Sequence, residues 1–108
     1  MKRVTIESPY KGNIELNTLY ARAALLDSLQ RGEAPLAAHL LYPQVLDEAS
    51  PAGRKQGINC GLAWLLQAEL VCFYVDLGMS EGMFQAQEVC TIQRIPTEIR
   101  RLGEKWNA

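Results

Sequence analysis

The residues of this sequence best placed to do chemistry are carboxylates around a glycine-bearing stretch. Asp76 ends the apolar run ELVCFYVD, Glu81 lies within the stretch DLGMSEGM, and Glu88 follows a few residues later. A carboxylate can attack a substrate or act as a general acid or base, and it can also simply accept hydrogen bonds from a ligand. The first question is therefore whether these carboxylates react with a ligand or only surround one.

Histidine and cysteine offer little further chemistry. His39 is the only histidine, and the three cysteines, Cys60, Cys72 and Cys90, lie in apolar surroundings without a CxxC spacing. Such cysteines are typically buried reduced thiols, although a cysteine nucleophile with His39 as its base stays open. One histidine and scattered cysteines lack the paired spacing of zinc sites, so we expect no metal and no cofactor.

Length and composition predict a folded protein of one domain. The chain has 108 residues, of which 48% are hydrophobic and 21% charged, so we treat 1–108 as a single domain with a tail at 103–108. Eleven basic residues balance twelve acidic ones, a charge that disfavours nucleic acid as a partner. Apolar runs are too short for a membrane span and the start lacks a signal-type apolar core. We expect a soluble, cytoplasmic protein.

The first half of the chain alternates between strand and helix patterns. RVTIE (3–7) alternates apolar and polar residues and predicts a strand. Leucines at helical spacing predict a helix over 14–31, with Asn13 as its cap and Gly32 at its end. The compact apolar segment APLAAHLL (34–41) predicts a second strand.

The second half continues the alternation after a long loop. The loop, YPQVLDEASPAGR, contains Asp47 and Glu48, which are either a solvated acidic turn or a general acid and base. Gly57 and Gly61 interrupt the helix that follows, which indicates close packing or a close approach of a ligand. The elements predicted here are a helix over 54–68, a strand over 70–76, a helix over 82–94 and a strand over 97–102.

This alternation predicts an α/β fold, a three-layer sandwich around a mainly parallel sheet of four or five strands, with 70–76 in the centre. So small a sheet leaves apolar helix faces under-covered, so we expect a homo-oligomer. If 3–7 lies beside 70–76, the loops SPYKGN and DLGMSEG flank one crevice at the carboxyl ends of the strands. Both loops precede helix N-termini, which favour an anion such as a phosphate.

The crevice has no standard phosphate-binding motif. Neither loop is a GxGxxG or a GxxxxGK[ST] sequence. Gly12, Gly78 and Gly82 are equally explained as turn residues, and Ser80 as a helix N-cap. The residues alone therefore indicate a phosphorylated or nucleotide-like ligand without naming it.

The whole chain also resembles a known family. VTIESPYKGNIELNTLYARA, HLLYPQVLDE, GLAW and DLGMSEGM, followed by GMFQAQEVCTIQRIPTEIRRL, are similar to an uncharacterised domain family of phages and bacteria in the nucleoside 2-deoxyribosyltransferase-like superfamily. The resemblance covers about residues 3–102. It implies a small Rossmann-like (flavodoxin-like) fold, often oligomeric, with a nucleoside or nucleotide pocket at the carboxyl edge of the sheet.

The resemblance also implies that the catalytic carboxylates are missing. Enzymes of that superfamily cleave or transfer an N-glycosidic bond with a carboxylate nucleophile in a pattern like SxGxxxE. Aligning that pattern on Ser80 and Gly82 puts Ala86 at the glutamate position. A second acidic residue three positions before a tryptophan corresponds to Gly61, counted back from Trp64. We therefore predict no catalytic residue of this kind.

The sequence thus favours binding of a nucleotide- or nucleoside-type small molecule over catalysis. An active N-glycosidase or deoxyribosyltransferase with a relocated carboxylate, such as Glu81, Asp47 or Asp76, remains an alternative. A structural or protein-binding module is another, because a fold does not fix a function. Tyr42 and Gln44 either complete the wall beside His39 or pack the long loop. The predicted ligand-binding residues are Ser8, Tyr10, Asn13, His39, Asp76, Ser80, Glu81, Gly82 and Met83.

Overall fold

The computed structural model describes residues 1–107, and strands alternate with helices along the chain as predicted. The elements are β1 (Arg3–Glu7), α1 (Ile14–Gln30), β2 (Ala34–Leu36), α2 (Ala38–Leu41), a 3₁₀ helix (Tyr42–Gln44), α3 (Pro51–Leu65), β3 (Leu70–Tyr74), α4 (Glu81–Gln93), β4 (Thr97–Arg100) and a second 3₁₀ helix (Gly103–Asn107).

The four strands form one parallel sheet in the order β2-β1-β3-β4. β1 pairs with β3 from Val4 opposite Leu70 to Glu7 opposite Phe73. All five residues of β3 are buried, as their continuous apolar character predicts for a strand covered on both faces. The parallel α/β fold, the internal position of β3 and its pairing with β1 are confirmed.

Two apolar clusters cover the two faces of the sheet. Alternate residues of β1 and β3 face α1 on one side, here called the α1 face, and the others face α4 on the opposite side, the α4 face. The α1 face holds Val4, Ile6, Tyr20, Ala24, Ala37, Leu70, Cys72 and Tyr74. The α4 face holds Leu65, Val71, Phe73, Met83, Ala86 and Cys90. Cys72 and Cys90 are buried free thiols, and Cys60 is partly exposed.

The predicted second strand over 34–41 is wrong beyond Leu36. β2 is an edge strand that pairs with only three residues of β1. The following segment, Ala38–Leu41, forms the helix α2, since its alanine and leucines favour helix, and it packs on α3. His39 therefore lies on a short helix and not at the end of a strand.

The third helix begins earlier than the predicted residue 54. Ser50 caps α3 by accepting a hydrogen bond from the Gly53 amide at 3.3 Å, and Pro51 takes the first helical position, where its missing N–H is harmless. α3 packs mainly on α2. Gly61 faces α2, and a Cβ added there would lie 3.4 Å from the Cβ of Ala38, which is a close but ordinary contact.

The end of the chain is not the free polar tail that its composition predicts. Trp106 packs edge-on against Tyr20, with 4.9 Å between the ring centroids. The amides of Leu102 and Gly103 each donate to the carboxylate of Asp76 at 2.9 Å. The segment after β4 therefore closes the α1 face of the core.

Several leucines on the outer side of α1 are exposed, among them Leu19, Leu26 and Leu29. Exposed apolar side chains on one helix are compatible with self-association. The expected homo-oligomer stays a prediction. Within residues 1–107, no helix has the length and apolar character needed to cross a bilayer.

Candidate functional site

The candidate site lies where β1 and β3 meet at the carboxyl edge of the sheet. The chain leaves β1 towards α1 and leaves β3 towards α4, and these helices cover opposite faces. The loop 8–13 and the loop 75–80 therefore diverge from adjacent strands. In open parallel sheets, this switch point is where ligands bind.

Ser8 and His39 are in direct contact at this edge. The Oγ of Ser8 lies 2.6 Å from Nε2 of His39, although 31 residues separate them in the chain. Ser8 is buried as the first residue after β1, and α2 brings His39 alongside it. The structure thus joins two of the predicted site residues.

Burial lowers the pKa of His39 to about 4, so the ring is neutral at physiological pH. A neutral imidazole has one nitrogen that donates and one that accepts. His39 is therefore a fixed hydrogen-bonding group at the crevice and not a cation that would attract a phosphate.

Asp76 is also at this edge, but protein groups occupy its carboxylate. Besides the amides of Leu102 and Gly103, the hydroxyl of Tyr20 donates to it in a short hydrogen bond. Burial alone would raise the pKa of Asp76, but these hydrogen bonds outweigh it and hold the pKa below its ordinary value. Asp76 joins β3 to the end of the chain.

The predicted phosphate-facing turn has a helix-capping geometry. The Oγ of Ser80 accepts a hydrogen bond from the backbone amide of Met83 at 3.3 Å. The backbone amide of Ser80 in turn donates to the sulfur of Met83 at 3.4 Å. Met83 is 1% exposed and packs on the α4 face with its sulfur against the Ser80 amide, so its side chain is enclosed by protein and not presented to a ligand. Glu81 and Gly82 are exposed in the first turn of α4.

In the loop 8–13, Asn13 caps α1: its side-chain oxygen accepts a hydrogen bond from the backbone amide of Leu16 at 3.1 Å. The carbonyl of Tyr10 accepts a hydrogen bond from the Asn17 side chain at 3.0 Å, and Tyr10 itself is half-buried. Gly12 has φ +99°, a left-handed conformation that favours glycine. Within the described residues, neither the Tyr10 hydroxyl nor the exposed Lys11 ammonium has a hydrogen-bond partner, so both side chains remain free to face a ligand.

Glu7 is a residue of this site that the sequence reasoning missed. It is the last residue of β1, and strand alternation places it on the α4 face together with Thr5. Burial raises the pKa of Glu7 from 4.5 to about 7. The available signal was its position: the last residue of a strand that lies beside the most apolar strand of the sheet.

The structure also locates the positions where the resembling enzymes have carboxylates. Ala86 is 4% exposed on the inner side of α4, and Gly61 faces α2. Glu88 is exposed. Among the described residues, no group of three or more potential metal ligands converges.

Two surface recesses lie elsewhere, along α3. One, of about 470 Å³, is lined by a single side of that helix from Ala52 to Ala63 and includes Cys60. One face of one helix cannot enclose a ligand, whereas ligand sites are usually concave and bring together several elements. We therefore retain the β1–β3 edge as the candidate site.

The family model "Domain of unknown function (DUF7768)" matches residues 2–100, nearly the whole chain. The chain belongs to this family. No curated protein matches the DUF7768 chain significantly in sequence.

The fold of this DUF7768 domain is similar to that of a 2-deoxyribosyltransferase from the psychrotolerant bacterium Bacillus psychrosaccharolyticus, which is described as a biocatalyst for the synthesis of nucleosides. The TM-score is 0.69 at 14% sequence identity, and the match covers 92% of this chain and 72% of that one. At this identity the similarity shows the fold alone. It confirms the Rossmann-like (flavodoxin-like) architecture.

Proposed function

We propose that this protein binds a nucleoside- or nucleotide-type small molecule at the carboxyl edge of its sheet and does not cleave it. The observation that carries the proposal is the switch point between β1 and β3, where the loops before α1 and α4 diverge and the Ser8–His39 pair is fixed. The fold shared with a 2-deoxyribosyltransferase supports a nucleoside as the ligand class.

In this proposal, the start of α4 takes the anionic part of the ligand. The free amides at a helix N-terminus and the positive end of its dipole favour a phosphate. The turn is open to solvent at Gly82, where an added Cβ would meet only Ser80 Oγ, at 4.0 Å. Ser8, Tyr10 and His39 line the opposite side.

Cleavage is disfavoured because the positions that would supply a nucleophile are Ala86 and Gly61. The glycosidic transition state develops positive charge at the anomeric carbon, which needs a carboxylate close by. Asp76 is occupied and Glu81 is exposed to solvent. An N-glycosidase or deoxyribosyltransferase with a relocated carboxylate is the second candidate, and Glu7 is the observation that favours it.

The experiment is a thermal-shift screen of nucleosides and nucleotides, followed by chromatography for released base. We expect at least one compound to raise Tm, since a ligand at 100 times its Kd adds about 2.7 kcal/mol of stability. We expect no free base. Turnover would establish the second candidate, and no shift with any compound would contradict both and leave a structural or protein-binding role.

The variant Gly82→Asp tests the location of the phosphate. An added carboxylate at the start of α4 suits the helix dipole but repels an anion, so the fold should persist while nucleotide binding weakens. Gln85→Asp adds the same charge at an exposed position one turn further on and is the matched control. Equal binding by the two variants would place the phosphate elsewhere.

A further inference from the structure

Two neighbouring polar side chains of β1 point to the α4 face without a hydrogen-bond partner. Within the described part of the chain, the buried Oγ1 of Thr5 has none. Among residues 1–107, no group hydrogen-bonds the Glu7 carboxylate either. Protein atoms enclose this carboxylate on nearly every side, and only part of its surface is accessible to solvent. Buried polar groups in folded proteins are normally paired, so these two need an explanation.

The carboxylates enclosed around the α1 face are paired. Glu33 binds Arg100 through both oxygens, Asp27 accepts from Tyr74 and Arg31, and Asp76 accepts from two amides and Tyr20. The fold therefore satisfies its structural carboxylates. Glu7, on the α4 face, differs from these three, and an unpaired enclosed carboxylate destabilises a fold unless something else uses it.

The position of Glu7 points to the candidate site. It ends β1 at the carboxyl edge and is directly followed by Ser8, which contacts His39. Burial, with a smaller contribution from the Glu7 charge, raises the pKa of Cys90 to about 11, so Glu7 acts on the side of the sheet that α4 covers. Ala86, which α4 contributes to the same side of the sheet, is buried, and its side chain has no polar atom that could pair with Glu7.

Nearby groups limit what Glu7 can bind. The His39 ring is neutral and carries no charge that would offset a carboxylate, so a ligand phosphate beside Glu7 would be repelled. A carboxylate accepts hydrogen bonds, and its protonated form also donates one. Hydroxyl groups of a sugar satisfy both forms, while a phosphate fits the start of α4.

Resting on the proposed function, we propose that Glu7 is a ligand-contacting residue that hydrogen-bonds the sugar hydroxyls of the bound nucleoside. The ligand then lies across the switch point, with its sugar over the end of β1 and any phosphate at Ser80–Gly82. In this arrangement, the end of β1 contacts the sugar, and the turn that follows β3 contacts the phosphate.

The test compares wild type with Glu7→Gln by calorimetric titration, using ribonucleosides, 2′-deoxyribonucleosides and the corresponding free bases. We expect the variant to bind nucleosides at least about tenfold more weakly, because a neutral amide, with a donor in place of one carboxylate oxygen, replaces the stronger charged acceptor. Binding of a free base should change little. Glu88→Gln, which alters an exposed carboxylate of α4, is the control and should bind as wild type does.

Unchanged nucleoside affinity in Glu7→Gln would refute the role of Glu7 while leaving the proposed function in place. No nucleoside binding by wild type would refute both. Base release by wild type that Glu7→Gln abolishes would support the contact and establish the enzyme. Should the variant fail to fold, the ¹³Cδ resonance of Glu7 in the wild-type protein decides: a saturating nucleoside must shift it and inorganic phosphate must not.

Discussion

The two faces of the sheet differ in whether an enclosed glutamate carboxylate has a hydrogen-bonding partner. On the α1 face, the guanidinium of Arg100 binds both carboxylate oxygens of Glu33, at 2.8 and 2.7 Å, and lies 5.8 Å from the ring centroid of Tyr74. On the α4 face, Glu7 has no partner within the described residues. The Arg100 cluster, formed by Arg100, Glu33 and Tyr74, connects β4 to the start of β2. Glu7 makes no such connection between elements.

The pKa values of the two glutamates record this difference. The hydrogen bonds from Arg100 lower the pKa of Glu33 to about 2, while burial raises that of Glu7 to about 7. Glu7 ends β1 and Glu33 directly precedes β2, and both are enclosed, so burial alone does not decide the direction of the pKa shift. Enclosure with a partner indicates a structural charge, and enclosure without one indicates a group available to a ligand.

The largest effect is expected from Arg100→Met, which removes the cation from the paired cluster. The variant leaves Glu33 enclosed without its partner, which should destabilise the fold by roughly 3 kcal/mol and lower Tm by roughly 10–20 °C. Because the pKa of Glu33 is depressed, this stability is present above pH 4.5 and is lost as the pH falls towards 2. Thermal unfolding from pH 2 to 7 measures it.

The control for this prediction is Arg3→Met. Arg3 forms an ion pair with Glu69 at 3.2 Å, but both side chains are exposed, so its loss should barely change Tm. If the two variants lost equal stability, or if the loss in Arg100→Met did not shrink in acid, the Arg100 cluster would not be the structural charge we describe.

A smaller effect of opposite sign is expected from Glu7→Gln in the absence of ligand. The pKa of Glu7 is raised from 4.5 to about 7, so its stability contribution is full below pH 4.5 and is lost as the pH rises through 7. The glutamine side chain of the variant does not ionise, so the variant does not lose this stability at high pH. The variant should be more stable than wild type at pH 8 by about 1–2 kcal/mol, a value reduced because solvent reaches part of Glu7.

The two proteins should have similar Tm at pH 4.5, where both side chains are uncharged. Differential scanning calorimetry at pH 4.5 and pH 8 compares the two proteins. A higher Tm of Glu7→Gln at pH 8 alone would support the difference between the unpaired Glu7 and the paired Arg100 cluster. A loss of stability at pH 8 would show that Glu7 has a structural partner and that the two faces do not differ.

Most of the fold could be predicted because its signals are local. The alternation in RVTIE and the continuous apolar run of β3 each mark a strand, and Asn13 and Ser80 mark the starts of α1 and α4 as side-chain caps. The exception is Ala38–Leu41, where an apolar pattern fits strand and helix equally. The packing of this segment on α3 is a tertiary contact, which the local pattern does not reveal.

The site was less predictable because it depends on what each polar group contacts. Ser8 and His39 were both expected at the crevice, and they meet there. Asp76 was expected to face a ligand, but the chain beyond β4 folds back onto it, a contact 26 residues away that no local pattern reveals. Glu7 was overlooked because its lack of a partner becomes visible only in the folded protein.

The most direct test of a ligand site at the β1–β3 edge is an amide chemical-shift map of the protein with the best compound of the nucleoside and nucleotide screen. We predict that saturating ligand shifts the amides of residues 7–13 and 75–83 and the His39 ring, and leaves those of α3 unchanged. Shifts confined to the recess along α3, at Ala52, Gln56 and Cys60, would contradict the account.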